Sequence, residues 1–213
     1  MAAGVLQIYR LLYRYFGPQH WWPAETPFEV SVGAILTQNT SWVNVEKAIR
    51  RLREYRLLTP RRMFAVSDKK LAAVIRPAGC YAVKARRLRH FLAFLGPDCG
   101  TGLRALAAVT TSTLRRQLLN VNGIGPETAD SILLFALNKP LFVVDGYTRR
   151  IFARHDLIAV DAAYDRIQAF CMRGLPREAK LFNEYHALLV RLGKDYCRKR
   201  NPGCARCPLK GIM

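Results

Sequence analysis

Apolar residues recur every three to four positions along almost the whole chain, and nowhere do they alternate over the length of a strand. A chain with that single periodicity must bury helices against helices. VLQIYRLLYRYF (5–16), FEVSVGAILTQ (28–38), WVNVEKAIRRLREY (42–55), DKKLAAVI (68–75) and VKARRLRHFLAFL (83–95) read as helices. So do TSTLRRQLL (111–119), ETADSILLFAL (127–137), YTRRIFARH (147–155), AAYDRIQAFCM (162–172) and LFNEYHALLVRLGKDYC (181–197). Only LFVV, before Asp145, reads as a short extended piece. Gly, Pro and Asn punctuate most of the breaks, at 18–27, 58–60, 76–80, 96–101, 120–125, 138–145, 174–177 and 201–208. The expectation is an all-α protein of about ten helices joined by short loops. With 213 residues, 51% of them apolar, there is enough chain for one large or two small domains with a core.

Charge narrows the partner. Lys and Arg number 34 against 15 Asp and Glu, a formal net charge of +19. The basic residues cluster in RRLREYR (50–56), RR (61–62), KARRLRH (84–90), RR (149–150) and CRKR (197–200), with aromatics among or near them. A polyanion fits that pattern, and nucleic acid fits it better than a merely solvated surface does. No apolar run reaches the roughly 18–20 residues of a membrane span. The opening MAAGVLQIYRLLYRYFG is interrupted by Arg and lacks the apolar core of a signal peptide. A cytoplasmic location is expected, beside nucleoid DNA, where cysteines serve as buried thiols or metal ligands rather than disulfides.

LLNVNGIGPETADSIL (118–133) holds a glycine turn between two helical segments. Gly123 and Gly125 tolerate positive φ and close approach of another backbone, and Pro126 suits a first helical turn. N–H groups at such a helix start attract a phosphate oxygen. A Rossmann loop does not fit, since no strand precedes the turn and no third glycine comes after it. A P-loop lacks its Gly-Lys-Ser/Thr. DNA-backbone binding and a plain helical corner both remain compatible with the turn. Twenty residues after Gly125 stands Asp145, in FVVDGYTRR. Locally it reads as the N-cap of the next helix, and that does not stop it presenting a carboxylate.

VNGIGPETA followed by VVDGY resembles the helix-hairpin-helix and Asp signature of the endonuclease III-like DNA glycosylase superfamily. FEVSVGAILTQNT is similar to that family's early helix and loop, RPAGCYAVKARRL to its second turn, and C-x6-C-x2-C to its cluster loop, so the likeness covers nearly the whole chain. WWP (21–23), AILTQNT (34–40), RPAGCYAVKA (76–85) and NGIGPETADSIL (122–133) most resemble the 3-methyladenine DNA glycosylase III branch. The resemblance implies a two-lobed, all-α helix-hairpin-helix fold with a C-terminal cysteine loop of the iron–sulfur type. It places a helical barrel over 22–131. Residues 1–21 and 132–213 then form a second helical domain carrying the catalytic Asp and the cysteine loop. Double-stranded DNA is expected across the groove between the lobes, on a monomeric protein.

The resemblance also assigns residues. Asp145 takes the catalytic position: cleavage of an N-glycosidic bond builds positive charge on the sugar, which a nearby anion stabilises while orienting water. Bifunctional relatives carry a lysine two residues past the second glycine, where this chain has Glu127, and a carboxylate forms no Schiff base. The implied enzyme is therefore a monofunctional base excision repair glycosylase that leaves an abasic site. Its target base must be flipped from the stack. Gln38, with Asn39 beside it, matches the position that fills the gap. Cys80 matches a wedge position usually occupied by a larger apolar residue. The DNA-binding set comprises Gly123, Ile124, Gly125, Glu127, Thr128, Gln38, Asn39, Cys80, Tyr81, Lys84, Arg86 and Arg198.

Trp21, Trp22 and Glu127 are the candidate base pocket, and the two Trp residues serve equally well as core. A cationic alkylated purine such as 3-methyladenine gains roughly 0.5–2 kcal/mol against an indole face. The other readings are an endonuclease III-type enzyme for oxidised or mismatched pyrimidines, and a DNA-binding homologue without catalysis. Cys197, Cys204 and Cys207 match three of the four ligands of a [4Fe–4S] cluster, and the fourth position is Met213. Three readings stay open: a cluster on three cysteines, a sequence cut short before its last ligand, or a loop kept by packing after loss of the cluster. A three-cysteine zinc site fits the spacing less well. Cys80, Cys99 and Cys171 are expected to be buried thiols.

Overall fold

A computed structural model describes residues 4–96 and 102–212, so Cys99 and Met213 lie outside the described residues. The described chain is helical, and the LFVV segment before Asp145 has no strand partner among the described residues. Two units divide it: Ala24–Lys139 forms one, and Met1–Pro23 with Pro140–Met213 forms the other.

The first unit is built around α2 (Pro27–Leu36), buried at every residue from Phe28 to Leu36. A helix apolar on all sides has to be central. Thr26 caps it by accepting the Glu29 N–H, and Pro27 occupies the first turn. Its one buried charge, Glu29, accepts from the Arg53 guanidinium at 2.8 Å. α3 (Trp42–Glu54) packs nearby, and Trp42 donates from its surface to Glu46. A short helix, α4 (Pro60–Ala65), starts where the sequence reads as a break. Pro60 does not end structure there. It opens a turn capped by Thr59, whose hydroxyl accepts the Arg62 N–H.

α5 (Asp68–Val74) leads through a 3-10 turn at Arg76–Ala78 into α6 (Tyr81–Leu95), and α7 (Gly102–Ala108) and α8 (Thr111–Leu119) come next. α9 (Pro126–Ser131) runs on into a π turn at Ile132–Ala136, so the second helix of the hairpin ends inside this unit.

The second unit is built around α12 (Ala179–Asp195), which buries Phe182, Tyr185, Leu188, Leu189 and Leu192. That spacing makes one broad apolar face. α1 (Val5–Phe16) packs on it, and the Tyr185 hydroxyl donates to the Val5 carbonyl at 2.9 Å. α10 (Gly146–Arg154) crosses α12 where there is no side chain to meet: a Cβ on Gly193 would stand 2.2 Å from the Tyr147 ring. α11 (Tyr164–Arg173) steadies the approach to α10, with Gln168 donating to the Phe142 carbonyl at 2.6 Å.

Candidate functional site

The glycine hairpin lies between α8 and α9. Gly123 has φ +87°, and a Cβ there would stand 2.4 Å from the Arg87 Cγ, so glycine is required both by conformation and by the side chain lying against it. Ile124 turns inward, 4% exposed, and its N–H donates to the Val121 carbonyl. Ile124 thus serves the core, a role distinct from the DNA contact expected of it. Gly125 is the N-cap of α9 and supplies no side-chain cap, while Glu127 is exposed in the first turn. Helix N–H groups without a side-chain cap remain available to an outside acceptor.

Three elements brace this turn from within the same unit. Arg115 on α8 grips the fully buried Asp130 on α9, with Nε–Oδ1 at 2.8 Å and Nη2–Oδ2 at 3.3 Å. His90 on α6 lies 3.1 Å from the Asn122 carbonyl. Gln38 donates to the Gly123 carbonyl at 3.0 Å and to the Thr128 hydroxyl at 2.9 Å, and its own oxygen accepts from Arg87. The Gln38 amide is therefore spent on the hairpin in this structure. Thr128 is buried beneath it, and its side chain braces the turn through Gln38.

Lys84 requires a correction. It was expected to reach a phosphate, but it is 2% exposed, and its ammonium donates to the Leu36 carbonyl at 2.9 Å and the Ala78 carbonyl at 2.7 Å. Burial pushes its pKa below the ordinary 10.5. It clamps the end of α2 to the 3-10 turn. Cys80 also departs from the buried thiol expected of it, being exposed in the left-handed region (φ +44°) at the start of α6. Tyr81 beside it is exposed, with the Arg76 guanidinium over its ring at 6.0 Å. Asn39 and Arg86 are exposed as well.

In the other unit, Asp145 ends the irregular run 140–145 and caps α10. Its Oδ1 accepts the Thr148 N–H at 2.7 Å. Among the described residues its Oδ2 has no hydrogen bond. The His186 Nε2 faces that oxygen at 4.0 Å, with side-chain exposures of 8% for His186 and 12% for Asp145. His186 was not singled out from the sequence, although a polar residue beside the apolar stripe of α12 was a usable signal. Tyr164 accepts the Val144 N–H at 3.3 Å, fixing the backbone one residue earlier. Trp21 and Trp22 lie in the non-helical segment after α1, half-buried, with ring centroids 5.4 Å apart in an edge-on pair. Their partner in the expected pocket, Glu127, belongs to the other unit.

The cysteine loop comes directly after α12. Cys197 is buried, Cys207 half-buried and Cys204 exposed. Burial raises the Cys207 thiol, and Cys197 and Cys204 raise it further. Two α10 arginines hold the loop: Arg150 Nε donates to the Cys197 carbonyl at 2.7 Å, and Arg154 donates to the Cys197 Sγ and to the carbonyls of Arg198 and Lys199. Arg198 is exposed there. Among the described residues no group of three or more His, Cys, Asp or Glu is placed to hold a metal ion. Cys197, Cys204 and Cys207 are the residues that would hold an iron–sulfur cluster. Cys171 is a buried thiol, as expected.

The chain is similar to known proteins over most of its length. Residues 32–177 match the model of the HhH-GPD superfamily base excision DNA repair protein. MJ1434 of Methanocaldococcus jannaschii, a DNA repair glycosylase by name alone, is 47% identical over 207 residues, 97% of this chain and 94% of that protein. Endonuclease III of Thermotoga maritima is 29% identical over 86% of this chain and 81% of its own length. The Helicobacter pylori 3-methyladenine DNA glycosylase MagIII, solved with 1,N6-ethenoadenine, superposes with a TM-score of 0.77 at 28% identity, covering 90% of this chain and 98% of that one. An endonuclease III–DNA complex superposes at 0.81 with 24% identity over 99% of this chain and 95% of that one, a likeness of fold.

Proposed function

Since the chain belongs to the HhH-GPD superfamily of base excision DNA repair proteins, and its relatives are DNA glycosylases, we propose that it is a monofunctional DNA glycosylase acting on an alkylated purine such as 3-methyladenine. The observation that carries the reading is the divided carboxylate of Asp145. One oxygen caps α10 and the other has no hydrogen bond among the described residues. A carboxylate held in this way keeps an anionic edge for the sugar as it turns cationic, and can orient the attacking water. Glu127 supports the monofunctional part, because the hairpin offers no amine at that position to attack the sugar.

The hairpin around Gly123 and Gly125, with the exposed Arg86 and Arg198, is proposed to bind phosphates without reading sequence. Cys80 and Tyr81, exposed together at the start of α6, are proposed to enter the duplex, and the paired Trp21 and Trp22 to receive the base. Cys197, Cys204 and Cys207 are proposed to supply three of the thiolates of a [4Fe–4S] cluster. Iron and sulfide analysis of the purified protein decides whether one is held.

A second reading, an enzyme for damaged pyrimidines, draws on the endonuclease III relative, whose 29% identity matches the 28% of the 3-methyladenine enzyme. Released-base analysis on methylated and on thymine-glycol duplexes separates the two. Free 3-methyladenine, an intact abasic strand and no borohydride-trapped covalent complex are expected. Release of thymine glycol alone, or trapping at high yield, overturns the proposal.

A further inference from the structure

We propose that His186 is a positioning residue for Asp145, holding the carboxylate oxygen that the helix cap leaves over. The inference rests on the reading of Asp145 as the group that faces the sugar, and adds what keeps it there. Capping fixes Oδ1 through the Thr148 N–H. It does little to fix the plane of the carboxylate, because the terminal torsion of an aspartate is broad. Oδ2 is the oxygen left to act on a sugar, so its direction matters most.

The His186 Nε2 faces Oδ2 at 4.0 Å. A shift of about 1 Å brings the two within hydrogen-bonding distance. Both side chains are nearly buried, so little water competes in the gap. The imidazole also stands on a firm base. Its neighbour Tyr185 is fully buried and bonded to the Val5 carbonyl, and seven residues further along α12 Gly193 seats Tyr147 of the Asp145 helix. From the other side, Tyr164 and Gln168 of α11 hold the backbone that enters Asp145. Every contact in this set lies within one unit of the chain. A histidine on the central helix thus limits how far the free oxygen swings. A misplacement of about 1 Å is enough to slow a reaction by about a hundredfold.

The test compares wild type, Asp145→Asn, His186→Phe, His186→Gln and His186→Asn, each as the full chain, on whichever of methylated or thymine-glycol duplex the wild type processes. Single-turnover excision and duplex affinity are measured separately. His186→Phe is expected to lower the excision rate by roughly 10–100-fold, with affinity unchanged. Gln carries its amide nitrogen where Nε2 stands and should restore most of the rate. Asn, whose amide reaches only as far as Nδ1, should not. A residue that merely fills space would tolerate Phe.

Excision by His186→Phe at the wild-type rate overturns the proposal, as does an equal loss in the Gln and Asn variants. Should His186→Phe fail to fold, the contrast between Gln and Asn still decides. An active Asp145→Asn overturns instead the reading of Asp145 on which the proposal stands.

Discussion

The hairpin at Gly123–Gly125 and the turn at Asp145 are both helix beginnings after irregular chain, but they handle the same problem in opposite ways. α9 begins at a glycine that offers no cap, and its bracing comes from behind: Arg115 on Asp130, Gln38 on the loop carbonyl, Arg87 against the Gly123 backbone. α10 begins at an aspartate that caps itself with one oxygen and keeps the other. In the first, the helix start has no side-chain cap and side chains behind it maintain the shape. In the second, the backbone is satisfied and a side chain is left. Substitution of the braces should therefore cost folding and binding together at the hairpin, whereas at the aspartate folding and chemistry should separate.

The largest effect expected is at the hairpin brace. Arg115→Ala removes two charge-assisted hydrogen bonds from the fully buried Asp130 carboxylate, at about 1.5–3 kcal/mol each. Denaturant unfolding should register that loss, and duplex affinity should fall with it. Asp145→Asn comes next and sharpens the contrast. Asn caps a helix about as well as Asp, so unfolding should hardly change, while single-turnover excision drops by about 10²–10³-fold. Were unfolding to shift as far as the rate, the two helix starts would be alike after all.

Gly123→Ala should cost about 2 kcal/mol, from a strained φ and from the Arg87 side chain it must displace, with weaker binding to undamaged duplex as its second readout. Lys84→Met is expected to be smallest, about 1–2 kcal/mol, for the two carbonyls it leaves unpaired. Its sign with pH is distinctive. Because burial lowers the native pKa, the unfolded chain holds its proton longer. Wild type should therefore gain on the variant as pH rises toward the ordinary lysine value of 10.5. Parallel pH curves for the two proteins would remove that account of Lys84.

Much of the architecture was readable because helix signals are local. The apolar stripe of α12 and the caps around α2 mark their own positions in the sequence. α4 was missed although its signals were present, since Pro60 reads equally as a stop and as a first turn. Lys84 was misplaced for a different reason. KARRLRH reads as a basic run, and only the way α6 faces α2 decides that its first lysine points inward while Arg86 points out. The site was half legible. Asp145 stands out because a helical run, GYTRRIFAR, begins immediately after it, whereas His186 lies 41 positions later and meets it only through the crossing of α10 and α12.

That crossing depends on an absence. At Gly193 a single hydrogen stands where any other residue would bring a carbon into the ring of Tyr147, two positions after Asp145. An alanine there would act as a wedge driven beneath the helix that carries the acid, tilting it without touching the acid itself. The spacing between carboxylate and imidazole is in this sense set at a distance, by the smallest side chain available.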